Sequence, residues 1–288
     1  MIAVLQHELT MLYHSMKAYV FAAFLLLFTG IGALIYNINA SIANFEYVLS
    51  FISILFVVLI PLLTMRAMAE ERRQRTDQLL LSLPISTADI ILGKFLSLMT
   101  VFCLPVLLIC LYPLLFSRFG DVYLPTAYGS ILAFLFLGMA LVSIGMFISC
   151  LTESQSMAAG ICVAAMLFLY YIDTLADHVS SSAAGSLIGV LVLILGVSLL
   201  VRLLTKTTFA AVLIAGTFFA AVLIVFIVDP ARLEGLLPNV MGKLSLFSRF
   251  ETFVNGVFDV TALVYDVSVT AFFLFLCVQA LEKRRYNG

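Results

Sequence analysis

The chain has 288 residues, of which 64% are hydrophobic and 11% charged, with a formal net charge of -1, whereas an average soluble domain is about half apolar and a quarter charged. That excess excludes a water-soluble globule, and the near-neutral balance excludes the basic footprint of a nucleic-acid binder. The apolar residues fall in continuous runs of about 20, the length that crosses a hydrocarbon core roughly 30 Å thick, so the fold class is an all-α polytopic transmembrane bundle rather than an alternating barrel.

Residues 1–17 alternate apolar Val4, Leu5, Leu9, Leu12 and Met16 with polar Gln6, His7, Glu8, His14 and Ser15 at helical spacing. That pattern predicts an amphipathic helix in the membrane interface. His7 and His14 could share a face, but no third ligand stands near them, so they read as solvated or headgroup-facing. Spans are predicted at 18–36, 48–65, 91–116, 126–150, 157–173, 183–203, 208–228 and 262–281, eight in all. The first is expected to be retained rather than cleaved, because the segment before it is long and carries Glu8 with Lys17 as its only basic residue. Cys103, Cys110, Cys150, Cys162 and Cys277 lie in or beside these runs at spacings that match no zinc, haem or redox motif, and read as small core residues.

Orientation follows from the basic residues, which concentrate in short cytosolic loops. With the N-terminus inside, the cytosolic segments hold Lys17, Arg66, Arg72, Arg73, Arg75, Lys94, Arg202, Lys206, Lys283, Arg284 and Arg285, and the far side only Arg118, Arg232, Lys243 and Arg249. Both termini are therefore expected in the cytosol. Asp173, Asp266 and Arg202 fall at helix ends and read as interface anchors rather than an intramembrane relay.

Two long segments are neither span nor minimal turn. Residues 66–90 continue the second span as a charged helix that ends in a leucine-rich face, Leu79, Leu80 and Leu83, and stops at Pro84. Ser86 with Asp89 forms a capping box, flanked by Ile85 and Ile90 as a staple, so a new helix is predicted from Thr87. The whole is a rigid elbow. A second polar bend, Thr152, Glu153, Ser154, Gln155 and Ser156, is expected on the same side after the fourth span. On the far side, residues 243–259 predict one amphipathic helix, with Phe247, Phe250, Val254, Val257 and Phe258 on its apolar face and Ser248, Arg249, Glu251, Asn255 and Asp259 elsewhere.

The missing chemistry is informative. No G-x-x-x-x-G-K-[ST] loop exists, since Gly93-Lys94 is followed by Phe95 and Gly242-Lys243 by Leu244. Neither H-E-x-x-H nor G-x-S-x-G occurs. The chain carries no hydrolytic site of its own and is not expected to be an enzyme. No polar constellation defines a substrate pocket either; Gly138, Ser143, Gly145, Gly185 and Gly189 read as close helix packing.

The acidic pair Glu70 and Glu71, the basic Arg72 and Arg73, then Thr76, Asp77, Leu79, Leu80 and Pro84, and the later Gly93 and Lys94 form a pattern. It resembles the ABC-2-type permeases, in particular the gliding-motility-associated branch close to the nitrous-oxide-reductase accessory permeases. Residues 247–285 are similar to that family's last outer helix and final span. The likeness covers residues 1–110 and 245–285; the family pattern has six spans, and the hairpin 183–228 is additional to it.

The resemblance implies one transmembrane domain over 1–288, a multi-pass permease of the cell (inner) membrane. It implies an elbow that docks on an ABC ATPase subunit through Glu70, Glu71, Arg72, Arg73, Arg75, Thr76, Asp77, Leu79, Leu80 and Leu83, with Glu153 from the second bend. ATP and Mg would be held by that partner and none by this chain. A second permease copy or homologue and an extracytosolic accessory membrane protein are further implied partners. Phe247, Phe250, Phe253, Val254 and Val257 would line an outer gate of an exporter. A membrane scaffold without translocation and a secondary transporter are the alternative classes, and a co-purifying ATPase separates them from the first.

Overall fold

The computed structural model describes residues 2–74, 85–178 and 235–287, with Gly185, Ser198, Gly216 and Phe219 placed singly. The predicted spans 183–203 and 208–228 lie outside the described residues, as do Arg75, Thr76, Asp77, Leu79, Leu80, Leu83 and Gly189. The chain divides into two compact units, Met1–Phe168 with Arg249–Gly288, and Leu169–Ser248.

The first unit is a helical bundle. Helices α1 (Ile2–His14) and α2 (Met16–Ala33) are separated at Ser15, whose extended backbone (φ -92°, ψ 145°) begins the second helix. Helix α2 runs on into a π-helical turn, Leu34–Asn39. Next come α3 (Glu46–Ser53), α4 (Phe56–Thr64) and the short α5 (Ala69–Gln74). After them follow α6 (Thr87–Ile109), α7 (Leu111–Phe116) and α8 (Leu124–Leu151). Helix α9 (Gln155–His178) begins in this unit, and α12 (Val260–Asn287) closes it.

Helix α6 starts where the sequence predicts. Ser86 has the extended N-cap conformation, its Oγ accepts the Asp89 N–H at 3.1 Å, and the same hydroxyl donates to Asp89 Oδ2 at 2.7 Å.

Among the described residues, five helical stretches are long and apolar enough to cross a membrane: Ala18–Asn39, Thr87–Phe116, Leu124–Leu151, Gln155–His178 and Val260–Lys283. A sixth passes only if α3 and α4 count as one span, and they are bent by 60°. The span predicted over 48–65 is thus met by this bent pair of helices. Around the break the main chain shortens its bonds to i→i−3, Leu55 N–H to Ile52 O and Val58 N–H to Leu55 O, both 3.0 Å. Ser53 Oγ bonds back to Ser50 O at 2.7 Å, and Pro61 has no N–H to return to the helix. A serine competing for the ladder and a proline about two turns on each favour bending.

Helix α8 is the axis of this unit. Within its span 78% is buried, against 22% for the α12 span, and α3, α4, α6, α7 and α12 pack around it. Small residues permit that approach. A Cβ at Gly138 would strike the Phe102 ring of α6, and one at Gly145 would strike the Thr64 side chain of α4. Ser143, fully buried, bonds within its own helix to Ala140 O. The packing role predicted for Gly138 and Gly145 is therefore observed.

In the second unit, the later part of α9 meets α10 (Leu236–Leu244) through a buried cluster of Ile172, Ala176, Leu237 and Met241. Gly235 enters α10 with φ 68°, a left-handed conformation that glycine adopts without strain.

The amphipathic segment predicted as one helix over 243–259 is instead α11 (Leu246–Val254) with a break on either side. Ser245 turns extended (ψ 120°) to cap α11, its Oγ accepting the Ser248 N–H at 3.1 Å and donating to Asp173 Oδ2 at 2.9 Å. At the other end Gly256 takes φ 81°, with Gly256 N–H on Phe253 O and Val257 N–H on Thr252 O. This paired termination needs glycine just past the helix. Val257 and Phe258 consequently leave the apolar face and are 59% and 60% exposed.

Candidate functional site

The elbow helix α5 enters the bundle at the C-terminal end of α8. Ser149, buried on the last turn of α8, accepts the N–H groups of Met68 and Ala69 at 3.2 Å each and donates to Met65 O at 3.3 Å. The hydroxyl thereby satisfies main-chain groups that the turn 65–68 leaves without helical partners. One turn further, Arg72 Nη1 donates to Thr152 O at 2.9 Å, where α8 ends. The two segments predicted to share one side of the membrane, the elbow and the bend at 152–156, are thus joined directly. Ser154 caps the next helix from that bend, accepting the Met157 N–H at 3.3 Å.

Lys94 is the centre of a buried polar cluster. It sits about two turns into α6 with its side chain 3% exposed, and its Nζ donates to Glu71 Oε1 at 2.6 Å, Glu8 Oε1 at 2.7 Å and Ala67 O at 3.1 Å. An ammonium has three N–H donors, and each has an acceptor here. A buried ammonium without such partners would be prohibitive, since desolvating a charge costs several kcal/mol. The cluster ties α1, α5 and α6 together. Nearby, at the N-terminus of α6, Thr87 Oγ1 donates to Glu282 Oε1 of α12 at 3.0 Å.

Glu71, which the resemblance puts among the docking residues of the elbow, is turned inward. Its side chain is 18% exposed and holds Lys94. Glu70 is more open, with Arg66 Nη1 at 3.9 Å, and Arg73 and Glu153 are exposed. So of the predicted elbow residues, Glu71 and Arg72 bind inward while Glu70, Arg73 and Glu153 face outward.

The N-terminal half of α8 meets aromatic neighbours. In the first unit Phe250 of α11 packs on Phe134 at 6.0 Å between ring centroids, and Phe134 in turn on Phe56 at 4.5 Å and Phe102 at 6.3 Å. Ser130 Oγ donates to Phe253 O at 3.0 Å, and Phe253 meets Phe258 edge-on. In the second unit Phe247 lies edge-on to Tyr170 at 5.0 Å. Phe247, Phe250, Phe253 and Val254 are all buried, so four of the five predicted gate residues form the apolar face of α11, while Val257 does not.

Charge at this end is sparse and placed with care. Arg249 stacks its guanidinium 4.1 Å above the Tyr265 ring of α12. Asp266, expected to anchor at the interface, is instead 5% exposed about two turns into α12, with Oδ1 making no hydrogen bond. Asp259 caps α12 through Thr261, whose hydroxyl and N–H hold its carboxyl below the usual carboxylate range.

Sequence reasoning missed the Lys94 cluster and the Ser149 cap. The first had a signal: a lysine inside the apolar run Ile91, Leu92, Phe95 and Leu96 must find a carboxylate. The second had none, because a serine in an apolar helix commonly bonds its own turn.

Compared with known families, residues 2–276 match the family model described as ABC-2 family transporter protein. Comparison with curated proteins gives no match.

Proposed function

The chain belongs to the ABC-2 family of transporter proteins as a membrane-spanning permease subunit, and from that premise we propose that it couples ATP hydrolysis by a separate ABC ATPase subunit to export. The elbow 66–90 and the bend at 152–156 form the docking surface on the cytosolic side, with both termini in the cytosol of a cell-membrane protein. ATP and Mg belong to the partner. A second copy or a homologous permease completes the pathway, and α11 forms its outer gate. Within the family the elbow pattern favours the gliding-motility-associated branch near the nitrous-oxide-reductase accessory permeases.

The observation that supports this reading best is the attachment of α5 to α8. A push on α5 reaches the end of the central helix through the Ser149 bonds and Arg72, and a stiff helix carries displacement along its length. The Phe250–Phe134 contact lies in that helix's other half.

Purification of the chain from its own membrane, followed by an ATPase assay, tests the proposal. An ABC ATPase should co-purify, and the variant pair Glu70→Lys and Glu153→Lys should lower its recovery with the permease level in the membrane unchanged. Equal recovery from wild type and variant would contradict docking at this surface.

A further inference from the structure

We infer that Lys94 is a positioning residue that locks the N-terminal helix α1 to the elbow helix α5, so that α1 moves with the elbow instead of floating as a separate interfacial anchor. The inference rests on the reading of α5 as the coupling element, but its structural half stands on the chain alone.

Three observations converge on it. First, the ammonium is shared. Glu8 from α1 and Glu71 from α5 bind the same Nζ at 2.7 and 2.6 Å, and the third donor goes to Ala67 O, in the turn that leads into α5. All three side chains are withdrawn from solvent, with exposures of 3%, 12% and 18% for Lys94, Glu8 and Glu71, so the pairing is not screened as a surface bridge would be.

Second, the residue before the lysine is shaped for the same approach. A Cβ on Gly93 would lie 3.0 Å from Val4 Cγ1 and 3.4 Å from the Leu5 main-chain nitrogen. Helix α1 therefore crosses α6 at a position where a Cβ would press on Val4, and the next turn of α1 brings Glu8 to Lys94. Gly93 sets the distance and Lys94 the register.

Third, α1 is a helix in contact rather than at rest on a surface, for it packs along both α6 and α2. An interfacial anchor would be held by its apolar face alone, which is non-directional and lets it slide. A shared ammonium is directional, and it makes the position of α1 depend on the position of α5.

Backbone hydrogen exchange on the full chain in lipid nanodiscs separates this from a merely structural role. In Lys94→Met, amides of both α1 and α5 should exchange roughly a hundredfold faster, as expected when a buried ionic cluster loses its centre, while those in the middle of α8 stay protected. Because that variant leaves two carboxylates buried and could misfold, the triple variant Glu8→Gln, Glu71→Gln, Lys94→Met is measured beside it. The cluster then holds no charge, so the melting temperature should return toward wild type while α1 exchange stays fast. Unchanged α1 protection in Lys94→Met, loosening of α1 without α5, or recovery of both stability and α1 protection in the triple variant would each overturn the lock. A failure of the ATPase to engage α5 would instead strike the coupling proposal and leave these exchange results standing.

Discussion

The two ends of helix α8 are held by different physics. At its C-terminal end the neighbours are fixed by directional bonds: Ser149 to the turn before α5, Arg72 to Thr152 O, and the Lys94 cluster beside them. In its N-terminal half the closest-packed neighbours are rings, Phe134 against Phe56, Phe102 and Phe250, beside the bond from Ser130 Oγ to Phe253 O. Directional bonds within a low-dielectric interior lose most of their energy when geometry shifts by an ångström, so the polar end transmits displacement with little give. Ring contacts are broad and tolerate sliding, each adding about 0.5–1.5 kcal/mol beyond area burial. A transporter whose drive arrives at one end and whose passage opens at the other would need that division: rigid where force enters, compliant where the path must part.

The comparison can be broken first at Lys94. Lys94→Met leaves Glu8 and Glu71 buried around an absent cation and should destabilise the chain by about 3–5 kcal/mol. Lys94→Arg should also be costly, because a planar guanidinium cannot meet three acceptors arranged around a compact ammonium. At the aromatic end, Phe134→Ala should cost about 3 kcal/mol through the cavity it opens, yet Phe134→Leu only about 1.5 kcal/mol or less, since shape there is exchangeable. Thermal unfolding in nanodiscs measures all four. Equal tolerance to conservative replacement at the two ends would erase the distinction.

Smaller effects sharpen it. Ser149→Ala should cost about 1–2 kcal/mol by orphaning two buried N–H groups, and Ser86→Ala about 1 kcal/mol by removing the α6 cap. The smallest concerns Asp259, whose carboxyl is held below the usual range by Thr261. A depressed carboxylate stabilises the fold above its unfolded-state pKa and loses that contribution as pH falls through the folded value. Asp259→Asn should therefore lower the neutral plateau slightly and flatten the acid limb of stability.

What was legible from sequence divides along the same line. Apolar run length located the five long spans, and the Ser86 and Asp89 pair located the start of α6, because both are local signals. The bend between α3 and α4 was hidden, since a run of Ile, Leu and Val reads alike whether straight or broken. The split of 243–259 was readable in part: Asn255-Gly256 is a helix stop, and the periodicity of the phenylalanines outweighed it. The apolar face of α11 keeps Phe247, Phe250, Phe253 and Val254 because all four precede the stop. The Lys94 cluster was lost for a different reason. Its partners lie 86 and 23 residues away, and only tertiary packing brings a carboxylate from α1 to a lysine in α6.

On the proposed coupling, force entering at α5 reaches α11 through α8. A fluorophore at Glu251, an exposed position on α11, would report it in the permease reconstituted with its ATPase subunit. ATP should change the emission of the wild-type complex, and Arg72→Gln, which cuts the bond from α5 to the end of α8, should abolish that change while ATP is still hydrolysed. An ATP response of full size in Arg72→Gln would contradict the account.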